Sequence, residues 1–382
     1  GSSPTEASSL LTADIRGGMD KPGLLGLGDE IKGVTFVPLE VTTDDASLID
    51  GVYDYAVTDR YIYVLPVKEP RIVLFDRQGR FIRTLVKEGQ GPGEFRGILP
   101  CIQVDERNDR LFLFSNNRVW EYTLEGEFIG QSTHEYSVIY MRHIGKDRFA
   151  AISFPFQPFN GGGFGLGLFS RKGDTIAIKN DFYSFLLPHE KSGFTTSIAP
   201  AYSDAQNSVL FKTGSNDTVF CISADRISAA CVLDLKNSDA EVIRSLDVTD
   251  MSNLRIEKKD PKDIFVQDMI EFPGHYYFRL LYNQGYYIAS VDKKTGKTLV
   301  EKCVMPGSIY ELADANLQHG MQGTRSYRNF PVWGRVIKDE LVQVVTPYEL
   351  NLYKSLRSIT IPQELDLKGE EGNPVFVFYS LI

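Results

Sequence analysis

Three ionisable side chains, His143, Asp54 and Asp268, lie on segments predicted to be the innermost strands of a repeated β-sheet unit. A histidine and a carboxylate that both reach one substrate atom can perform general acid–base catalysis. This combination is typical of a hydrolase or a lyase. A single histidine in a β core is more often a hydrogen-bonded structural group, so catalysis is the alternative hypothesis.

A second set of side chains suits recognition better than proton transfer. Arginine forks pair with carboxylates, and aromatic rings stack on sugars or apolar groups. The candidates for ligand contact are Arg96, Arg142, His143, His189, Arg325, Tyr327, Arg328 and Trp333. The neighbouring segment 154–164 is rich in phenylalanine and contains three consecutive glycines. It is either part of the site or a hydrophobic cap on the sheets.

The sequence predicts neither a metal nor a cofactor. Ca²⁺ requires six to eight oxygen ligands, but the inner-strand positions that match Asp54 and Asp268 read Pro100-Cys101, Thr196-Ser197 and Trp333-Gly334. No Gly-x-Ser-x-Gly segment is present. The triplet Gly91-Pro92-Gly93 precedes no predicted helix, as a phosphate-binding loop would require, and is interpreted as a turn.

Composition excludes further classes of function. The net charge is −9 and the pI is near 5.2, whereas nucleic-acid binding needs a basic surface. No run of 18 apolar residues occurs, so any membrane association would depend on a lipid anchor. Cys101, Cys221, Cys231 and Cys303 are interpreted as free thiols, and a Cys221–Cys231 disulfide stays open as the second possibility.

A repeat predicts the elements that position these residues. Gly79, Gly126 and Gly173 each lie at the centre of a similar hairpin, and they are 47 residues apart. A period of this length is typical of a β-propeller with four-stranded blades. We expect an all-β, six-bladed propeller over residues 31–382 as a single domain, with an inserted surface helix at about 236–262.

The chain ends are predicted to meet. The last blade lacks a fourth strand, and the N-terminal segment 34–41 can supply it by pairing with residues 374–379. This pairing would close the ring and remove its open edges. Residues 1–30 are expected to be a flexible tether that begins with a cloning scar.

The segment Lys87–Phe95, with the sequence KEGQGPGEF, resembles the interblade connection of NHL/TolB-like propeller repeats. With residues 36–40, 216–220 and 373–377, the pattern is similar to a family of exported six-bladed propellers from anaerobic gut bacteria. Many members of that family are lipoproteins. The resemblance covers about residues 30–382 and implies a periplasmic or cell-surface location, but no particular activity.

The sequence favours a non-enzymatic module that binds a small molecule, a glycan or a protein. In propellers, the loops that lead into the innermost strands surround one mouth of the central channel. These loops are long here, at residues 87–98, 132–140, 180–196, 236–262 and 306–329. Long connections in compact domains are often functional, so the site is expected at this mouth. The alternative hydrolase or lyase would use the same mouth.

Overall fold

Six β-sheets arranged around a central channel make up the described part of the chain. A computed structural model describes residues 10–23, 30–96, 101–115, 117–134, 138–153, 164–182, 201–205, 207–212, 217–237, 262–283, 285–303, 335–355 and 372–382. The architecture is a six-bladed β-propeller with four-stranded blades, as the repeat predicted.

The strands follow the chain around the ring. The N-terminal elements are β1 (Leu11–Ala13), the helix α1 (Ile15–Asp20) and β2 (Ile31–Pro38). Blade one, from the channel outward, contains β3 (Val52–Val57), β4 (Tyr61–Pro66), β5 (Arg71–Asp76) and β6 (Phe81–Lys87). Blade two contains β7 (Cys101–Asp105), β8 (Arg110–Ser115), β9 (Arg118–Tyr122) and β10 (Phe128–Thr133), with a short 3₁₀ helix at Glu106–Asn108. Blade three contains β11 (Val138–His143), β12 (Arg148–Ser153), β13 (Phe164–Ser170) and β14 (Thr175–Phe182).

The second half of the ring has the same order. Blade four contains β15 (Ala201–Ala205), β16 (Ser208–Lys212), β17 (Thr218–Ser223) and β18 (Ile227–Leu233). Blade five contains β19 (Phe265–Glu271), β20 (His275–Tyr282), β21 (Gly285–Asp292) and β22 (Thr298–Cys303). Blade six contains β23 (Arg335–Ile337), β24 (Glu340–Val345), the helix α2 (Pro347–Ser355) and β25 (Val375–Leu381).

The apolar core lies between adjacent blades. Middle strands such as β4 and β5 are buried along nearly their whole length, because a blade packs against a neighbour on each face. Trp120 and Phe95 pack between blades one and two. Phe112 and Phe149 pack between blades two and three. These two seams each hold their own cluster of side chains.

The repeated glycines make the turns between the third and fourth strands. Gly79, Gly126 and Gly173 have φ values of +82°, +90° and +94°, which glycine adopts without the strain that a Cβ introduces. Each donates its N–H to the carbonyl three residues earlier. The 47-residue period therefore repeats one backbone conformation.

The ring closes as predicted. β2 pairs antiparallel with β25, from Ile31 opposite Leu381 to Pro38 opposite Val375. The strand begins three residues before the predicted segment, and residues 39–41 belong to the connection into blade one. Asn373 joins this connection to the C-terminal strand, because its amide accepts from Ile49 N and donates to the carbonyls of Glu40 and Ser47.

Residues 10–23 depart from the flexible tether that we expected. β1 pairs in parallel with β18 and adds a fifth strand to blade four. Ala13 and Ile15 are fully buried, and Arg16 donates to the carbonyls of Leu235 and Lys262. Apolar residues in this short segment cover an exposed sheet edge. The sequence did not predict this role, because polar residues flank the segment.

Two further features concern the connections. Blade six includes the helix α2 in the connection from β24 to β25. The predicted insertion at 236–262 lies outside the described residues apart from its ends at 236–237 and 262. Across the described residues, no helix has both the length and the apolar character needed to cross a membrane.

Candidate functional site

Two arginines from opposite sides of the ring approach each other in the channel. Arg142 belongs to β11 of blade three and Arg335 to β23 of blade six. Burial, followed by the positive charge of Arg335, lowers the pKa of Arg142 to about 10. Side chains from blades three apart in a six-membered ring can come close only near its axis. These guanidinium groups therefore lie in the central channel.

Asp54, on the inner strand of blade one, provides a carboxylate between them and is 6% exposed. Its Oδ1 accepts a hydrogen bond from Arg335 Nη2 at 2.7 Å. Its Oδ2 accepts from the backbone N of Ile102 at 2.7 Å. The carboxylate thus connects the inner strands of blades one, two and six.

Further contacts fix both guanidinium groups. Arg335 Nη1 donates to Tyr55 O at 2.8 Å, and the Arg335 guanidinium carbon lies 4.6 Å from the centre of the Tyr55 ring. Arg142 Nη1 donates to Ile102 O at 3.0 Å. We call Asp54, Tyr55, Ile102, Arg142 and Arg335 the axial cluster.

The chemistry of the axial cluster is electrostatic. A guanidinium group stays charged at any physiological pH and presents a planar fork of donors that matches a carboxylate or a phosphate. Buried ionic hydrogen bonds of this type are stronger than neutral ones. The cluster is thus suited to holding an anionic group, and neither arginine is suited to moving a proton.

Tyr53, which precedes Asp54 on β3, and Cys101, the first residue of β7, lie close to the axial cluster. Partial burial, and then the nearby Cys101 and Asp54, raise the pKa of Tyr53, so the three residues are close together. Tyr53 is 45% exposed. Its ring offers an accessible aromatic surface near the axial cluster.

Sequence analysis did not identify Arg335, Tyr55 or Tyr53 as site residues. The sequence did indicate that Arg335 lies on an inner strand, because it comes two residues after the candidate Trp333 on the predicted inner strand of blade six. Its position along the channel axis depends on the register of β23, a strand of three residues. That register could not be derived from the repeat.

His143 lies away from the axial cluster. It follows Arg142 on β11, and consecutive strand residues point to opposite sides. Its ring stacks on Phe112 of blade two, with centroids 5.3 Å apart. Its Nδ1 is 3.7 Å from a carboxylate oxygen of Asp105. The carboxylate that faces His143 is therefore neither of the two that the catalytic hypothesis required.

Asp268 also has a structural partner. Its Oδ2 accepts a hydrogen bond from Arg279 Nη2 at 3.3 Å, and its Oδ1 accepts from Met269 N. Asp54 is held by Arg335, as described above. In the described contacts, His143 thus faces Asp105, Asp54 binds Arg335, and Asp268 binds Arg279.

Arg96 lies on the connection between blades one and two, where its Nη2 donates to Gln90 O at 2.7 Å. In the same connection, Gly93 has a φ of +80° and Gly91 N donates to the Glu94 carboxylate. These contacts agree with the interpretation of the glycines as a turn. The candidates His189, Arg325, Tyr327, Arg328 and Trp333, and most of segment 154–164, lie outside the described residues.

Among the described residues, no group of three or more His, Cys, Asp or Glu side chains is placed to hold a metal ion. Cys101, Cys221 and Cys231 are not joined in disulfides. Burial raises the pKa of Cys221 and raises that of Cys231 to about 12. At neutral pH these two thiols are therefore protonated and poorly nucleophilic.

Comparison with solved structures extends the fold assignment. A crystal structure of a "putative exported protein" from Bacteroides fragilis is similar over 97% of this chain and 99% of its own, with a TM-score of 0.65 and 14% identity. At this identity, the likeness concerns the fold alone.

Two other solved structures are more distant. The PQQ-bound aldose sugar dehydrogenase from Streptomyces coelicolor has a TM-score of 0.40 and 12% identity, over 92% of this chain and 100% of its own. BamB from Moraxella catarrhalis has a TM-score of 0.36 and 8% identity, over 72% and 78%. Such low scores support no argument about function.

No curated protein matches the chain. A family model matches nearly its whole length, from residue 10 to residue 380. This range includes β1, every blade of the propeller and the ring-closing strand pair. The chain belongs to the family described as a domain of unknown function, DUF4934.

Proposed function

We propose that this protein is an exported, non-enzymatic propeller module that binds an anionic ligand at the mouth of its central channel. We further propose a carboxylated glycan as the ligand class. The axial cluster is the observation that carries this proposal. It places two guanidinium groups and one carboxylate where six inner strands converge.

The electrostatics of the axial cluster favour an added anion. Arg142 is buried, and the charge of Arg335 opposes its own. Asp54 offsets part of this repulsion through its bond to Arg335. A ligand carboxylate beside the guanidinium groups would offset more of it and form charge-assisted hydrogen bonds. The exposed ring of Tyr53 would give a sugar ring a surface for stacking.

Export is proposed on two grounds. The similar structure from Bacteroides fragilis belongs to a protein named as exported, and the segment Lys87–Phe95 resembles the NHL/TolB-like connections of exported propellers. A lipid anchor on the periplasmic or cell surface would hold the module near its ligand. Hydrolase or lyase activity is not proposed, because His143 faces Asp105 in a blade seam.

A short oligogalacturonate is a suitable probe, because every sugar carries a carboxylate. Calorimetric titration should show binding that weakens as salt concentration rises. Full methyl esterification of the same oligosaccharide should weaken binding at least about tenfold, the loss of one charge-assisted contact. Arg335→Gln should weaken binding of the acidic probe to a similar extent.

The matched control is Arg60→Gln, which removes one positive charge from the exposed turn between β3 and β4. It should leave affinity unchanged. Equal affinity of the acidic and esterified probes, or of the Arg335→Gln variant and the parent, would contradict recognition at the axial cluster. Appearance of shorter or unsaturated sugars during incubation would instead support the hydrolase or lyase.

A further inference from the structure

Two histidines are enclosed in the seam between blades two and three, outside the axial cluster. His134 follows β10 of blade two, and His143 ends β11 of blade three. Both rings contact Phe149, with centroid distances of 6.4 Å for His134 and 5.6 Å for His143. We call His134, His143, Phe112 and Phe149 the histidine seam.

His143 is packed between aromatic rings. It is 9% exposed, with Phe112 stacked on one side and Phe149 at a steep angle on the other. Its backbone N–H and C=O both bond to the side-chain amide of Gln103. Its Nε2 is buried and has no hydrogen-bond partner among the residues that the structure describes. A proton added at Nε2 would thus have no acceptor among these residues in the closed seam.

His134 is in a similar position on the other side of Phe149. It is 8% exposed, and its backbone N donates to Asn117 O. The turn at Gly173 of blade three packs beside its Nδ1. The Nε2 of His134 is also buried without a hydrogen-bond partner. The two histidines therefore share the feature that protonation leaves a buried N–H unsatisfied, which is energetically costly.

The charged groups around the seam do not remove this cost. Asp105 and Asp147 favour the protonated form of His143, but burial outweighs them and lowers its pKa. Burial also lowers the pKa of His134. Outside these residues, Glu121 pairs with both Arg110 and Arg171, and Arg171 lies 3.8 Å from Asp147.

A solvent groove of about 730 Å³ runs along the outer side of the seam and is lined by Glu121, Gln131, Asp147, Arg148, Arg171 and Asp174, among others. Water in this groove could solvate the imidazolium groups if the blades separated locally.

We propose that the histidine seam is an acid-sensitive latch, in which protonation of His134 and His143 separates blades two and three locally while the other seams stay closed. Because both groups are kept neutral in the closed state, closure is complete above the ordinary histidine pKa of about 6.5 and weakens as pH falls below it. Each histidine weakens closure up to about tenfold per pH unit, and the pair up to about 100-fold.

Hydrogen exchange measured by mass spectrometry at pH 7.5 and pH 5.5, with times scaled for the chemical exchange rate, tests the latch. Peptides that cover 128–134 and 138–150 should lose at least about tenfold protection at pH 5.5. Peptides from β20 and β21 of blade five should keep theirs. The His134→Leu, His143→Leu double variant should abolish the pH response.

The matched control is His275→Gln, which removes a half-buried histidine on blade five and should leave the seam response intact. If the double variant does not fold, His134→Leu alone should reduce the response. Titration of the histidine ring signals by NMR adds an independent measurement on the unaltered protein. Two of the five histidines should titrate below pH 6.5, together with loss of seam protection.

Three outcomes would overturn the latch. In the first, the amide protection of the seam peptides is the same at pH 7.5 and pH 5.5. In the second, protection is lost equally in all blades, and in the third, every histidine titrates near pH 6.5 while the seam amides stay protected.

Discussion

The glycine turns allow a graded test of how the blades pack on one another. Gly79 at the blade-one turn has a φ of +82°, and a Cβ added there would lie 2.2 Å from the carbonyl oxygen of Pro38 on the ring-closing strand. Gly79 O also accepts a hydrogen bond from Glu40 N at 2.8 Å. Gly79→Ala therefore strains the backbone and pushes against the strand that closes the ring.

The expected cost of Gly79→Ala is about 3–6 kcal/mol in free energy of unfolding. An alanine in the left-handed region costs about 1–2 kcal/mol. Relief of the overlap with Pro38 adds about 1–3 kcal/mol, and weakening of the Glu40 bond adds about 1 kcal/mol. More than half of this cost comes from the contacts with Pro38, at the end of β2, and with Glu40 just beyond it.

The equivalent glycines provide internal comparisons. At Gly126 the nearest atom to an added Cβ is Leu85 Cβ at 3.0 Å, and at Gly173 it is His134 Nδ1 at 3.2 Å. Since φ is similar at all three, Gly126→Ala should cost about 2–3 kcal/mol and Gly173→Ala about 1–2 kcal/mol. Gly33 on β2 has no atom within 4 Å of an added Cβ, so Gly33→Ala should be neutral or stabilising by up to about 1 kcal/mol.

Urea unfolding followed by circular dichroism measures these differences. The order of destabilisation should be Gly79, Gly126, Gly173, then Gly33. Equal losses of stability at the three turn glycines would show that only backbone strain matters. Packing of each turn against the preceding blade would then contribute nothing to the cost. A loss at Gly33 as large as that at Gly79 would refute the reasoning altogether.

Three other perturbations test the ring and its axis. Asn373→Ala removes three hydrogen bonds to backbone groups in a buried position, so it should lower the free energy of unfolding in urea by about 3 kcal/mol; a loss below about 1 kcal/mol would contradict this role. Deletion of residues 374–382 removes β25, which leaves β2 without a partner and β24 paired only with the three-residue β23. Circular dichroism should show general loss of β structure, and a folded truncated chain would disprove closure by this strand. Asp54→Asn breaks a buried ion pair and should lower the free energy of unfolding by about 3–5 kcal/mol. A double-mutant cycle with Arg335→Met should give a coupling energy of about 1–3 kcal/mol. Additive losses of stability would show that the two residues are not coupled.

The propeller fold was predictable because it depends on patterns among residues that are close together in the sequence. Many strand pairs are joined by short turns, and a recurrent glycine marks the same turn in three blades. The unpaired segment at the N-terminus matched the missing strand at the C-terminus, and the observed β2–β25 pair confirms that match. By contrast, β1 has only three residues and pairs in parallel with a distant strand, so no local signal identified it.

The candidate site was predicted less completely. Sequence analysis nominated Arg142, Asp54 and His143 as residues of inner strands, and all three are on those strands. It could not separate Arg142 from His143, since a shift of one residue moves a side chain to the opposite side of a strand. Arg142 reaches the axis, whereas His143 enters a seam.

The amino-acid sequence by itself determined the six blades, their turns and the joining of the chain ends, because period, alternation and glycine conformation are properties of neighbouring residues. Only the tertiary structure decided that Arg142 and Arg335 meet across the channel with Asp54 beside them. It also decided that two histidines share one aromatic seam. These contacts depend on ring closure and strand register, which bring together residues that are far apart in the chain.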